Sequence, residues 1–258
     1  WWQKLLSALI SYHLDRKLWQ NDFHRNPLAV YFRKISGDAF LKRHRVQADA
    51  VLQFGVMTSY DKTIWGDVNL YVYHDGAYDP NNPNWVCPRF GKWFENMQRH
   101  VLYASDHVFT FSKWARRQHI TQYDLPERKV TDVGWGPCLP LKNELCWQRH
   151  HARRFVFIGN DPWVKGLDIL ISAFSEIIKS HPDVTLDIIG VKGVQIPSFA
   201  GKNICVHGTR PPDDVVNVMS YSDILLLPSR FERAGHVIVE AMWYGLPVVV
   251  SDIFGSPE

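Results

Sequence analysis

From residue 154 onward the chain alternates between short, wholly apolar runs and amphipathic helical segments, and this limits the fold more than any other feature. Arg154–Ile158, Val184–Ile189 and Ile204–Val206 read as strands ending at Gly159, Gly190 and Gly208. Ile224–Leu227 is a fourth, stopped by Pro228, and Val248–Val250 a fifth. Between them, Leu167, Leu170, Ile171, Phe174 and Ile178 recur at helical spacing and mark one face of a helix. Asp213–Tyr221 reads as a helix opened by Pro211-Pro212, and His236–Tyr244 as one closed by Gly245. Strands with no polar alternation are buried on both faces, so the arrangement implied is a parallel sheet covered by helices on either side.

The first half shows the same alternation less cleanly. Residues 2–13 carry Trp2, Leu5, Leu6, Leu9, Ile10 and His13 on one helical face, and Pro27 opens a basic helix over residues 28–45 with a weak point at Gly37. Strands are expected at Ala50–Phe54, Leu70–Tyr73, His107–Phe111 and Lys129–Val133, with helices at Phe90–Ala104 and Lys113–Tyr123. Gly134, Gly136, Pro137 and Pro140 then interrupt the pattern. The expected organisation is a first Rossmann-like domain over residues 1–136, a linker over 137–153 and a second over 154–258, facing one another across a cleft. In such sheets ligands bind at the carboxyl ends of the strands.

Composition excludes several classes. At 46% hydrophobic and 21% charged, the 258 residues have enough apolar surface to bury a core, which rules out a chain that is mainly disordered. No apolar run approaches the ~20 residues of a membrane-spanning helix. A net charge of +3 is too small to point to nucleic acid. Cys87, Cys138, Cys146 and Cys205 lack CxxC spacing and read as reduced thiols of a cytosolic protein, not as a zinc site or a disulfide frame. Of the 11 tryptophans, nine precede residue 150; packing in the core and between helices is the favoured reading over stacking on sugars or bases.

Chemistry concentrates in the loops after the strands. Gly159-Asn160-Asp161-Pro162-Trp163-Val164-Lys165-Gly166 places a lysine at the mouth of a helix, where free N–H groups and the helix dipole suit an anion such as phosphate. The plainer alternative is a solvated lysine. In Pro228–Glu240, Glu232 follows a buried strand, Gly235 permits close backbone approach, and His236 begins a helix. Glu240 stands about one turn further on, beside Ala241 and Met242, where a carboxylate is costly unless it accepts hydrogen bonds. Ligand hydroxyls would supply them. Alternatively Glu232 pairs with Arg230 or Arg233, and Glu240 is a surface residue.

Glu232 and Glu240 with seven residues between them resemble the E-x7-E motif of retaining glycosyltransferases of the GT-B fold, family 4. "FIGNDPWVKGLDILISAF" is similar to that family's first donor-domain strand, loop and helix, and "DILLLPSRFERAGHVIVEAMWYGLPVVVSDIFGSPE" to its nucleotide-sugar segment. "YASDHVFTFSKWARRQHI" and "LPERKVTDVGWG" resemble the end of its acceptor domain. The likeness runs over roughly residues 50–258 and is strongest after 154. It implies an α/β, GT-B chain that moves a sugar from a UDP- or GDP-sugar to a glycan or lipid-linked acceptor, with no cofactor and no metal. Lys165 would hold the donor diphosphate, Glu232 the sugar, Gly235 and His236 the phosphate, and Glu240 the ribose. Gly208, Thr209 and Arg210 would flank the base. His74, in "LYVYHDGAY", would face the donor sugar from the acceptor domain. Asn160 stands where many members carry Arg, so one cation of the diphosphate site is missing; either Arg230 or Arg233 substitutes for it, or phosphate affinity is lower. No Asp-x-Asp metal motif is present, and cationic Lys165 with the helix dipoles would stabilise the leaving phosphate.

Other readings are a sugar-nucleotide epimerase and a non-catalytic nucleotide-sugar- or glycan-binding protein. A Rossmann dehydrogenase is disfavoured, since no strand is followed by GxGxxG. Residues 1–45 carry nine Lys/Arg against three Asp, and with Trp1, Trp2, Leu5, Leu6 and Trp19 they suggest peripheral contact with the inner face of a membrane. An internal helix with a solvated basic face is the favoured alternative. Relative to whole members of the family, both domains are expected to be truncated.

Overall fold

The computed structural model describes residues 2–44, 48–58, 68–79, 87–139, 152–195, 198 and 201–256. The chain divides into two compact units, residues 1–134 and 135–258. Most of the expected linker, residues 140–151, lies outside the described residues, as does Cys146.

The first unit begins with three helices, α1 (Trp2–Ile10), α2 (Arg16–Arg25) and α3 (Pro27–His44). Sequence periodicity gave no reading for α2, whose residues are mostly polar; its start is fixed by Asp15, which accepts from the backbone N–H groups of Lys17 (2.7 Å) and Leu18 (3.0 Å). Buried Asn26 separates α2 from α3 and serves both. Its side chain donates to the carbonyls of Asp22 and Phe23 and accepts from the N–H of Ala29. Helix α3 passes through Gly37 without a break, because that position meets nothing within 4 Å and loses only the propensity difference of about 1 kcal/mol.

The expected core role of α1 is not borne out. Its buried residue is Ser7, whereas Trp2, Leu5, Leu6 and Leu9 are exposed. The small Ser7 admits close packing of α1 on α3 and leaves the large side chains outside. The tryptophans meet expectation only in part, as where the Trp19 indole N–H of α2 donates to the Ala8 carbonyl of α1 at 3.2 Å. Trp2, Trp93, Trp163 and Trp243 are exposed, and among the described residues no tryptophan belongs to a core cluster.

Strands β1 (Ala50–Phe54), β2 (Asn69–His74), β3 (His107–Thr110) and β4 (Val130–Asp132) form a parallel sheet in the order β1-β2-β3-β4. Helix α4 (Gly91–Ala104) lies between β2 and β3 in sequence, and α5 (Lys113–Tyr123) between β3 and β4. Val72, Phe94, Val101, Leu102, Val108, Tyr123 and Leu125 close the core. Ser112 caps α5 by accepting from the Ala115 N–H, and Asp124 ends it in the left-handed region at φ 56°.

The second unit is a five-stranded parallel sheet, β5 (Arg154–Ile158), β6 (Thr185–Ile189), β7 (Ile204–Gly208), β8 (Ile224–Leu227) and β9 (Val248–Val250). Its order is β7-β6-β5-β8-β9, so the chain reverses direction across the sheet between β5 and β8. Helices α6 (Leu167–Ser180), α7 (Pro212–Tyr221) and α8 (His236–Trp243) cover it. Period-2 alternation sends Phe157, Ile188 and Leu227 into one cluster with Leu170 and Phe174 of α6. It sends Val156, Ile189 and Leu225 into another with Val216 and Met219 of α7 and Ala241 of α8. Both faces of the central strands are therefore covered, whereas β6 and β7 keep partly open polar positions at Thr185, Asp187, Cys205 and His207.

Candidate functional site

A sheet that reverses its strand order leaves a crevice where crossovers depart in opposite directions, and ligands of such folds lie there. In the second unit this point lies between β5 and β8, and the two loops that follow these strands hold most of the charged residues singled out above. The loops are locked to each other. The Arg230 N–H donates to the Val164 carbonyl at 2.8 Å, and its guanidinium to the Trp163 carbonyl at 2.8 Å. Gly166 stands at φ +68°, and a Cβ there would fall 1.9 Å from the Pro228 carbonyl oxygen, so only glycine allows this approach. Asp161 shapes the first loop by accepting from the Val164 N–H at 3.0 Å.

This closure brings Lys165 onto Glu232. The ammonium pairs with Glu232 Oε2, both side chains being largely buried, while Oε1 accepts from the Gly235 N–H at 3.1 Å. The alternatives in which Glu232 pairs with Arg230 or Arg233 are not realised. Arg230 instead forms a two-pronged contact with Asp168, 2.7 Å on each arm, and lies 5.1 Å over the Trp163 ring. Its hydrogen bond to Arg230 holds the Asp168 carboxyl below its ordinary range. Arg230 is thus engaged by Asp168 and the Trp163 carbonyl. Arg233 is buried, its guanidinium 5.5 Å over the Phe231 ring. Asn160 is exposed in the same loop as Lys165.

Gly235, at φ +58°, precedes α8. Helix periodicity puts His236 and Glu240 one turn apart on the same side of α8. His236 lies against the Trp135 ring, and its Nδ1 is 4.0 Å from Cys138 Sγ. Half-buried Glu240 accepts from the Cys138 N–H at 3.3 Å. Burial raises its pKa and this backbone hydrogen bond lowers it, with burial the larger effect. The alternative of Glu240 as a plain surface residue does not hold. Trp135 and Cys138 are neighbours of the site that sequence reasoning missed; they lie in a glycine- and proline-rich stretch without periodicity.

Gly208, Thr209 and Arg210 follow β7, two strands from β5, and are not part of the bonded cluster. They are linked to it through the strand ends: the Gly159 N–H donates to the Ile189 carbonyl, and the Gly190 N–H to that of Gly208. A cavity of about 690 Å³ lined by Trp163, Asp168, Lys192 and Gln195 adjoins the first loop but does not include Lys165, Glu232 or Glu240.

In the first unit, His74 ends β2 and is buried. Its Nδ1 meets His119 Nε2 at 2.8 Å, and His119 Nδ1 meets the Ala115 carbonyl at 2.6 Å. A carbonyl only accepts, so His119 carries its proton on Nδ1. Its Nε2 then accepts from His74 Nδ1–H. His74 Nε2 lies 3.7 Å from Asp75 Oδ1. His119 was not singled out in the sequence, although Ala115, His119 and Tyr123 share the buried face of α5 at a spacing of four.

Residues 148–258 match the family model described as "Glycosyl transferases group 1". A 112-residue segment is 29% identical to the D-inositol 3-phosphate glycosyltransferase of Segniliparus rotundus, covering 39% of this chain and 25% of that protein. Another of 124 residues is 31% identical to spore coat protein SA of Bacillus subtilis, covering 42% and 33%. The matched part thus spans about a quarter to a third of these relatives' length. Among solved structures, a glycosyltransferase from Rickettsia africae is similar over 90% of this chain and 64% of that one, with a TM-score of 0.57 and 17% identity. The chain has the α/β, GT-B fold of these glycosyltransferases.

Proposed function

We propose that the protein is a retaining glycosyltransferase of family 4 that moves a sugar from a UDP- or GDP-sugar to a hydroxyl of a glycan, lipid or small molecule, without a metal in the transfer step. The observation that carries this reading is the contact of Lys165 with Glu232 at the strand-order reversal, with Glu240 on the helix that follows. Lys165 neutralises Glu232 in the free protein. An incoming diphosphate offers the ammonium a stronger partner, and the released Glu232 Oε2 accepts from donor-sugar hydroxyls while Gly235 keeps Oε1 in place. Glu240 exchanges the Cys138 N–H for ribose hydroxyls. Arg210, Thr209 and Gly208 flank the base.

In the reaction the acceptor oxygen bonds to the anomeric carbon as the bond from that carbon to the leaving phosphate oxygen breaks. The acceptor proton passes to the phosphate, and attack on the face it leaves retains configuration. Negative charge grows on the leaving diphosphate, where Lys165 is placed to stabilise it. His74 acts from the acceptor side, and His119 fixes its tautomer. The decisive measurement is donor breakdown across a panel of nucleotide sugars, with and without acceptor glycans. Binding without turnover for every donor would refute transfer and leave a nucleotide-sugar-binding protein, with Asn160 as the position to restore to Arg.

The N-terminal helices support peripheral contact with the inner, cytoplasmic face of a membrane. Trp2, Leu6 and Leu9 are exposed beside Lys4, with Arg16 and Lys17 near at hand on α2. No helix of the described residues is long and apolar enough to cross a membrane. Co-sedimentation should be greater with anionic than with neutral vesicles and fall with salt; equal recovery refutes the contact.

A further inference from the structure

Away from the loops of the candidate site, three metal-ligating side chains of different chemistry converge on one face of the second sheet. Asp187 is on β6, and Cys205 and His207 are on β7. Asp187 and Cys205 are direct partners across the two strands. Cys205 and His207 are two apart, and the period of a strand puts them on one face. The pairing also shifts here: Ile188 opposes Val206 while Ile189 opposes Gly208, so His207 is the extra residue of a bulge. Bulges re-aim a side chain, and this one brings His207 Nε2 to 2.5 Å from Asp187 Oδ1. One ligand atom from each of the three residues lies within 4.8 Å of the others.

We propose that Asp187, Cys205 and His207 form a transition-metal site of the zinc class. Mixed oxygen, sulfur and nitrogen ligation suits a borderline-soft divalent ion and disfavours magnesium or calcium, which take oxygen ligands. Ligand atoms around a tetrahedral zinc stand roughly 3.3–3.8 Å apart. The cluster meets this spacing by side-chain adjustment of about an ångström, the Asp187–His207 contact opening as the ion replaces the shared proton. In that exchange the His207 proton moves to Nδ1, its Nε2 lone pair binds the ion, and the Cys205 thiol loses its proton to solvent. One proton leaves per metal bound. The divalent ion, one thiolate and one carboxylate sum to zero charge, a balance that a half-buried site tolerates. The fourth position is left for water. It is supplied from a cavity of about 450 Å³ lined by Asp187, Cys205, Tyr221 and Arg154. Lys202 also lines this cavity, and the Arg154 guanidinium lies 5.8 Å from the Tyr221 ring centroid. The ion would clamp edge strand β7 to β6, directly before the Gly208–Arg210 turn. The spacing of the cysteines hides this site in the sequence, because the ligands come from two strands and only Cys205-Val206-His207 is local.

Titration of the chelator-treated 258-residue chain with Co²⁺ tests the site. One equivalent should give a thiolate-to-cobalt charge-transfer band and the strong visible absorption of tetrahedral cobalt, and Zn²⁺ should abolish both. Cys205→Ser should remove the charge-transfer band, and His207→Ala and Asp187→Asn should each weaken binding at least tenfold. Cys87→Ser, Cys138→Ser and Cys146→Ser should leave the spectrum unchanged. Absence of the band in the wild type, or its survival in Cys205→Ser, overturns the proposal. Should a ligand variant fail to fold, alkylation of the wild type decides. Zn²⁺ should protect the Cys205 peptide from iodoacetamide, and equal labelling with and without the ion is the negative result.

Discussion

Two ion pairs bridge the same two loops of the second unit, and they are built differently. Asp168–Arg230 is exposed, two-pronged and reinforced by a carbonyl and an aromatic face. Lys165–Glu232 is largely buried and joins one ammonium to one carboxylate oxygen. The first uses the full fork of a guanidinium and has little to offer a ligand. The second keeps ammonium protons for an incoming anion, and its carboxylate is held by the Gly235 N–H whether or not the lysine stays. The contrast separates a fastener from an exchangeable contact, although both pair opposite charges across the same gap.

The comparison breaks most readily at Lys165. Lys165→Ala should lower kcat by about 10²–10³-fold, the loss typical of removing one electrostatic stabiliser of a developing anion. Arg230→Lys should leave kcat within a factor of a few. Steady-state kinetics on both variants decides, and equal losses would mean that the exposed pair also serves catalysis.

Gly166→Ala comes next, since it strikes both pairs through the backbone that spaces them. The new Cβ overlaps the Pro228 carbonyl and must also accept a left-handed φ. A loss of about 3 kcal/mol is expected from strain of this kind, read as a lower denaturation midpoint. Gly37→Ala, on an open helix position, should instead be neutral or slightly stabilising.

Glu240→Gln should weaken nucleotide-sugar affinity about 10- to 100-fold, as for loss of charged hydrogen bonds. It should also raise the melting temperature near neutral pH. Burial raises the Glu240 pKa in the folded chain. Between the ordinary carboxyl value and that raised value, the folded state binds the proton more tightly than the unfolded one. Stability therefore falls as pH rises through this window, and the penalty persists above it. Glutamine carries no such penalty, and the two melting curves should converge in acid.

Much of this was legible beforehand because it rests on local rules. The strands of the second unit announce themselves as apolar runs, Glu240 stands out as a carboxylate among apolar neighbours, and Glu232 as one in the loop after a buried strand. What stayed hidden depends on long-range closure. The partner of Lys165 is 67 residues away. The Asp187–His207 contact needs a strand pairing and a bulge, and the His74–His119 contact needs α5 to pack behind β2. Helix α1 misleads for another reason. Its apolar face satisfies the pattern of a buried helix, but Ser7 makes the packed contact, so periodicity identified the helix and not the side that turns inward.

Asp168→Asn should have the smallest effect and the opposite pH dependence. The Arg230 hydrogen bonds hold the Asp168 pKa below its unfolded value. Its contribution is therefore present above the ordinary carboxyl range and fades as pH falls through the depressed value. Asp168 is well exposed and Arg230 partly so, so the contribution is modest and declines with added salt. Melting temperatures of wild type and variant should differ slightly near neutral pH at low ionic strength and coincide in acid, with turnover unchanged throughout. The two carboxylates beside the same loops then give pH profiles of opposite slope, Glu240 destabilising and Asp168 stabilising at neutral pH. A wild-type-like melting profile for Glu240→Gln, or lost turnover for Asp168→Asn, would show that binding and fastening are not divided between them.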